Sequence, residues 1–356
     1  MAKSNSSASA SKIIARRKIQ HLDWATSPVG RFQQTTTLLE EVHLIHQAFP
    51  EKAISDVETQ VEFLKRTFKA PLLISGMTGG PLQTKTINQD LACIAEQLNI
   101  PFGLGSMRPL LLSQAALTSY CVKEKAPSVF LLGNIGLVQA KQTPSKTLQS
   151  MLRSIGADGL YVHVNPAMEL VQPEGDRDFS SGYDTIARLC QELDVPILVK
   201  ETGCGISRAV GEHLIKLGVA AIDVAGAGGT NFVRIEQKRQ KKSPYAWHES
   251  LSEWGIPTAA SIAMLANLGV PVVGSGGITT ALEAAKALAL GAQMVGVAGT
   301  LLSVYMNSGS KGVSHFLQEL ITGIRSILLL SGARSIKEIS SMPKVIGPNL
   351  KAWLSA

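Results

Sequence analysis

The chain has 356 residues, 45% of them hydrophobic and 17% charged, with 32 Gly and 16 Pro. This composition excludes a disordered, collagen-like or coiled-coil chain and leaves two ordinary domains or one large α/β barrel. The formal charge is +7, but Lys3, Lys12, Arg16, Arg17 and Lys18 all precede the first acid, Asp23, so a basic tip sits on a nearly neutral body and suits a local phosphate rather than nucleic acid.

Residues 1–11, rich in Ser, Ala and Asn, are expected as a disordered tail, although a transit peptide shares this composition. Residues 12–68 are expected as an N-terminal extension across the mouth of the next unit. From there, short apolar runs bounded by Gly, Pro or Asn recur at 71–75, 101–105, 129–133, 159–164, 196–200, 221–225, 271–274 and 293–297. They are continuous rather than alternating, so each predicts a strand buried on both faces, as a helix-covered parallel sheet requires. Segments 207–217 and 280–290 place Ala, Leu and Ile at helical spacing, which suits crossover helices. Eight such units predict a TIM (β/α)8 barrel over residues 69–345, with a doubly wound open sheet as the alternative. Residues 346–356 are expected as a C-terminal tail.

Residues 226–258, carrying Lys238, Arg239, Lys241 and Lys242, break the rhythm and are expected as a long, mobile active-site loop. The uncharged stretch 287–310 is divided by Gly291, Gly296 and Gly299 into strand, turn and helix, so no membrane span is expected. Cys93, Cys121, Cys190 and Cys204 lack metal-type spacing and are expected as reduced thiols of a cytoplasmic protein.

In such a barrel the chemistry sits at the strand C-terminal ends. Strand 7 is followed by Gly274, Ser275, Gly276 and Gly277, and strand 8 by Ala298, Gly299 and Thr300. Glycine turns at these two places suit a phosphate, though glycine also serves tight turns. A third such run, Ala225 to Thr230, follows strand 6. Strand 5 ends in Lys200, which pairs with Glu201 or Asp223, or else faces the electron-rich part of a cofactor. Gly76, Met77 and Thr78 follow strand 1, Ser106 and Arg108 strand 2, and Asn134 strand 3. Strand 4 ends in His163, Asn165, Met168 and Glu169. A histidine and carboxylates there suit proton transfer or metal binding, while a lone histidine also suits a structural hydrogen bond.

Taken together, Arg17-Lys18-x-x-His21-Leu22, Met77-Thr78-Gly79-Gly80, Gly105-Ser106-x-Arg108, His163-x-Asn165-Pro166-Ala167-x-Glu169, Gln172-Pro173-Glu174-Gly175-Asp176, Val199-Lys200-Glu201 and Gly274-Ser275-Gly276-Gly277 resemble the type 2 isopentenyl diphosphate isomerases over residues 12–345. The resemblance implies FMN used in its reduced form, NADPH or NADH as reductant, Mg²⁺, and interconversion of isopentenyl and dimethylallyl diphosphate. It implies FMN on Gly76, Met77, Thr78, Ser106, Asn134, Lys200, Thr230, Gly274 to Gly277, Ala298 and Gly299. It implies the substrate diphosphate on Arg17, Lys18, His21, Ser106, Arg108, His163 and Asn165, Mg²⁺ on Glu169, and His163, Met168 and Lys200 as catalytic positions. It further implies a homo-oligomer, a tetramer or an octamer. Two residues depart from it: Met168 and Met107 stand where the family usually carries glutamine. Methionine cannot shuttle a proton, so slow isomerisation is expected. A diverged FMN oxidoreductase and a non-catalytic flavin or prenyl-diphosphate binder remain as alternatives.

Overall fold

The computed structural model describes residues 24–25, 27–240 and 245–355. Arg17, Lys18 and His21, with the expected tail, lie outside the described residues, as do Lys241 and Lys242. Three short strands come first: β1 (Val42–Leu44), β2 (Val61–Phe63) and β3 (Arg66–Phe68). The barrel strands are β4 (Leu72–Ile74), β5 (Phe102–Gly103), β6 (Leu131–Gly136), β7 (Gly159–His163), β8 (Ile197–Lys200), β9 (Ala221–Asp223), β10 (Val272–Ser275) and β11 (Met294–Val297). They close in sequence order into a parallel barrel, β11 pairing with β4. Each falls at an apolar run of the sequence, and the open-sheet alternative is excluded by the closure.

Every residue of these eight strands is buried except His163, because a parallel barrel packs its interior on itself and its exterior on the helices. Helix Arg208–Lys216 starts where the Ser207 hydroxyl accepts the Val210 N–H at 3.4 Å, and helix Ala281–Ala289 starts at a capping box of Thr280 and Glu283. Both caps satisfy N–H groups that a helix start leaves without partners. Among the described residues one helix, Gly299–Ser331, is long and apolar enough to cross a membrane. It is interrupted at Gly309, whose φ of 62° is not helical. Beyond that break Val313, Leu317, Leu320, Ile324 and Leu328 recur at helical spacing as a buried stripe facing the barrel core.

The N-terminal extension reaches both ends of the barrel rather than the mouth alone. Residues 31–37 do lie at the mouth: Arg31 bridges to Thr230, and the Phe32 N–H donates to the Gly229 carbonyl. The antiparallel hairpin β2–β3 instead covers the opposite end. Phe63 and Phe68 are buried, Phe68 packs edge-on against Phe130 with ring centroids 5.6 Å apart, and the Gln293 amide donates to the Glu62 carbonyl. Phe130 and Gln293 precede β6 and β11, at the N-terminal base. The hairpin turn at Leu64 and Lys65 has positive φ at both residues, as a two-residue turn of this hand requires.

The expected C-terminal tail is structured. β12 (Lys344–Ile346) pairs antiparallel with β1, and helix Pro348–Ser355 follows, with Leu350 fully buried. Glu41 fixes its start, its carboxylate accepting from the Asn349 amide at 2.8 Å. The described residues of 226–258 are likewise not a plain loop: they form helices Phe232–Arg239 and Trp247–Ser250, with Val233, Ile235, Glu236 and His248 buried.

Phe68→Ala removes a buried ring from the base and should destabilise the protein by about 3–5 kcal/mol, whereas Phe49→Ala, at an 88% exposed position, should change stability by about 0.5 kcal/mol or less. Urea unfolding of both variants checks this; equal midpoints would mean that the base hairpin contributes nothing.

Candidate active site

The C-terminal ends of the barrel strands surround one cavity of about 290 Å³. Gly76, Met77, Thr78, Ser106, Arg108, Asn134, His163, Asn165, Met168, Glu169, Lys200, Thr230, Ser275, Gly276, Gly277, Ala298 and Gly299 all line it. Among the described residues one predicted position, Gly274, does not. A Cβ at Gly274 would meet Ile262, Ala287 and Ala292, so this position faces the surrounding helices. The reason is the strand's alternation: Ser275 points inward, and its neighbour therefore points outward.

One side of the cavity is built from backbone. A Cβ at Gly229 would lie 2.3 Å from the Gly277 nitrogen, and one at Gly299 would lie 2.8 Å from the Thr230 hydroxyl. Gly276 and Gly277 have φ of 104° and 75°, which L side chains rarely adopt. The turns after β9 and β10 thus meet face to face with no room for side chains. Ala225, which begins the first of these turns, also has a positive φ of 36°; such backbone strain concentrates at functional sites.

The opposite side carries polar side chains. β6 runs to Gly136, three residues past its predicted end, so Asn134 lies within the strand rather than after it. Its amide donates to the Leu104 carbonyl at 3.0 Å, which turns its oxygen toward His163 Nδ1 at 2.8 Å. With the Asn134 oxygen as acceptor, Nδ1 carries the imidazole proton. Asn165 stands at the N-cap of the short helix Pro166–Val171. Its amide donates to Glu169 Oε1 at 3.1 Å and reaches the Met168 sulfur at 3.5 Å, while Glu169 Oε2 accepts the Asp176 N–H at 2.8 Å. This cluster orients Glu169 and gives the Met168 thioether a polar neighbour. Met107 is different. It is fully buried, its sulfur and methyl packed beside Gly133, so it belongs to the core and not to the cavity wall.

Between the two sides stands Lys200. The internal pairing expected of it is with Asp223 rather than the Glu201 carboxylate: Nζ lies 3.7 Å from Asp223 Oδ2 and donates to the Glu201 backbone carbonyl at 3.0 Å, and the side chain also lines the cavity. Glu201 itself is turned away, one oxygen accepting the N–H groups of Thr202, Gly203 and Cys204 at 2.5–2.7 Å. Burial pushes its carboxyl up to about 7, against the pull of these N–H groups and of Lys200.

Sequence reasoning missed Arg31 and Gln139 on the cavity wall. Gln139, whose amide donates to Asp176 at 3.0 Å, follows a strand end like the residues that were found. Arg31 carries no local signal, because its neighbour Thr230 is remote in the chain.

Comparison with known proteins gives three results. The family model of the FMN-dependent dehydrogenases matches residues 132–344. The isopentenyl-diphosphate delta-isomerase of Moorella thermoacetica is 38% identical over 95% of both chains, and that of Pyrococcus abyssi 38% identical over 90% of this chain and 89% of its own. Among solved structures, a mandelate oxidase variant with (S)-mandelic acid superposes with a TM-score of 0.66 at 17% identity, covering 96% of this chain and 98% of its own. A lactate oxidase of Pediococcus acidilactici superposes with a TM-score of 0.68 at 13% identity, covering 90% and 89%. These two likenesses concern the fold.

The raised carboxyl of Glu201 has a sign in stability. Between its ordinary value of 4.5 and about 7 the folded chain holds a proton that the unfolded chain has lost, so this contribution is complete below that window and fades as pH rises through it. Glu201→Gln should therefore lose less stability than the wild type as pH rises across the window, by on the order of 2–3 kcal/mol. Urea unfolding at each end of the window measures it, and parallel pH profiles would show that Glu201 ionises normally.

Proposed function

From the premise that the chain belongs to the type 2 isopentenyl-diphosphate delta-isomerases, within the FMN-dependent dehydrogenase family, we propose that this cavity interconverts isopentenyl and dimethylallyl diphosphate without net redox change. The observation that carries the reading is the two-sided cavity: a backbone cradle on one side, a cluster of cation, imidazole, amide and carboxylate on the other, and Lys200 between them.

FMN fits the first side. The turns at Gly229, Gly276, Gly277 and Gly299 leave backbone where a phosphate needs close approach. Gly76, Met77, Thr78, Ser106, Asn134 and Thr230 would hold the rest of the cofactor, and the Lys200 ammonium would face the electron-rich part of the ring. Gly274 has no part in this set. When bound in reduced form, with NADPH or NADH as the reductant, FMN supplies the acid–base chemistry at the allylic position.

The second side suits the substrate. Arg108, His163 and Asn165 would bind the diphosphate, joined by Arg17, Lys18 and His21 from the N-terminal segment as a lid that excludes water. Glu169 fits a Mg²⁺ carried on the diphosphate. Each of its oxygens accepts a single hydrogen bond, and a carboxylate offers about four lone-pair sites. Among the described residues no group of His, Cys, Asp or Glu forms a complete cation cage, and Mg²⁺ on phosphates typically takes one or two protein carboxylates and water. Met168, on the cavity wall beside Asn165, holds no proton to give. A non-catalytic binder is the second reading, and this methionine is the observation that favours it.

Anaerobic incubation of the FMN-loaded, reduced protein with isopentenyl diphosphate and Mg²⁺ should yield dimethylallyl diphosphate. Flavin binding and reduction without product would leave the binder reading; oxidation of a hydroxy acid instead would leave the oxidoreductase. Met168→Gln should speed turnover by roughly tenfold or more, since acid–base assistance is typically worth about a hundredfold upward and a single restored side chain recovers part of it. Met107→Gln should leave the rate unchanged and lower stability by about 1–3 kcal/mol, because it buries an amide among apolar atoms. Steady-state rates at matched flavin occupancy, with thermal unfolding, separate the two positions; a flat response to Met168→Gln would remove that residue from the chemistry.

A further inference from the structure

We propose that Asp223 is a positioning residue of the flavin site, acting through Lys200: its carboxylate is the counter-charge that holds the Lys200 ammonium at the cavity wall. The inference rests on the FMN reading above and adds a residue that does not itself reach the cavity.

Asp223 ends β9 and is completely buried, absent from the cavity wall. A carboxylate in that place is costly unless compensated. Its Oδ1 accepts the Ser275 hydroxyl at 2.5 Å, its Oδ2 lies 3.7 Å from Lys200 Nζ, and the buried Tyr161 hydroxyl lies beside the carboxylate. The pairing is set by the barrel, since Lys200 and Asp223 are direct register partners across β8 and β9. Lys200 has one further protein contact of this kind, the Glu201 carbonyl at 3.0 Å. The ammonium is thus held by one hydrogen bond and one ion pair within the protein, on a side chain that lines the cavity.

The other ionisable groups around Lys200 do not replace Asp223. Glu201 directs its carboxylate to the backbone of residues 202–204. His163, the register partner of Lys200 on β7, bonds Asn134. The buried Tyr161 hydroxyl, beside Asp223, is held in its neutral form by burial and by that carboxylate. Asp223 is thus the anion that compensates Lys200. Without it the ammonium would stand in a buried site with no counter-charge, which is costly.

The test compares affinity for reduced and oxidised FMN in the full-length protein. The wild type should prefer the reduced, anionic form. Lys200→Met should lower that preference on the order of tenfold, and Asp223→Asn should lower it to a similar level. Combining the two should give no further loss. Asp223→Glu keeps the charge, guards against misfolding of the carboxamide variant, and should lie between wild type and Asp223→Asn. An unchanged or increased preference in Asp223→Asn, or additive losses in the double variant, would overturn the inference while leaving FMN binding in place. Failure of the wild type to bind FMN would overturn both it and the reading on which it rests.

Discussion

The closure of eight short parallel strands into a ring is the constraint on which the rest depends. A parallel barrel must bury its strands inside and out, so these strands are mostly apolar and the polar side chains that line the cavity come from or near their last residues. Because the strands run the same way, those last residues meet at one mouth. Asn134, His163, Lys200 and Ser275 come from four different strands, and none of them needs a special loop to reach its neighbours. The cavity follows from the fold's direction, and its chemistry from which residue ends each strand.

Within the mouth, charge is arranged by depth. Asp223 and Ser275 form a buried layer, Lys200 stands above them, and the Asn165–Glu169 cluster lies on one flank. Buried polar groups are tolerated where each finds a partner. Here the partners are supplied mostly by adjacent strands or by the first turn of the following helix, which makes the site as rigid as the barrel. The glycine turns contribute the opposite quality. They remove side chains where backbone must approach a ligand, and they do so in pairs that exclude one another's Cβ atoms.

Much of this was legible in the sequence because double-sided burial leaves a plain signature. The apolar runs marked every barrel strand, and the glycine, lysine and histidine residues that follow them mark the mouth. What was not legible has physical reasons. A run of four or five apolar residues carries no phase, so the outward direction of Gly274 and the core packing of Met107 could not be read from it. The base hairpin at Val61–Phe63 and Arg66–Phe68 has strands of three residues, too short for alternation to show. The helix Pro348–Ser355 is defined by its contact with Glu41, a partner separated from Asn349 by 308 residues, and Arg31 likewise acquires its place from the far side of the ring. Long-range pairing of this kind leaves no trace in a local window.

That same pairing orders the chain in time. The segment that touches the mouth at residues 31–37 is tethered through β1 to β12, which follows all eight barrel strands in the chain. Emerging chains fold from the N-terminus as units become available, but β1 must wait for a partner that is not yet made, and contacts of such separation form late. The rim of the cavity is therefore finished only after the last barrel strand has been made. A chain that has made its eight barrel strands but not yet β12 holds its barrel without the strap beside the opening, so the rim is coupled in folding order to a strand outside the barrel.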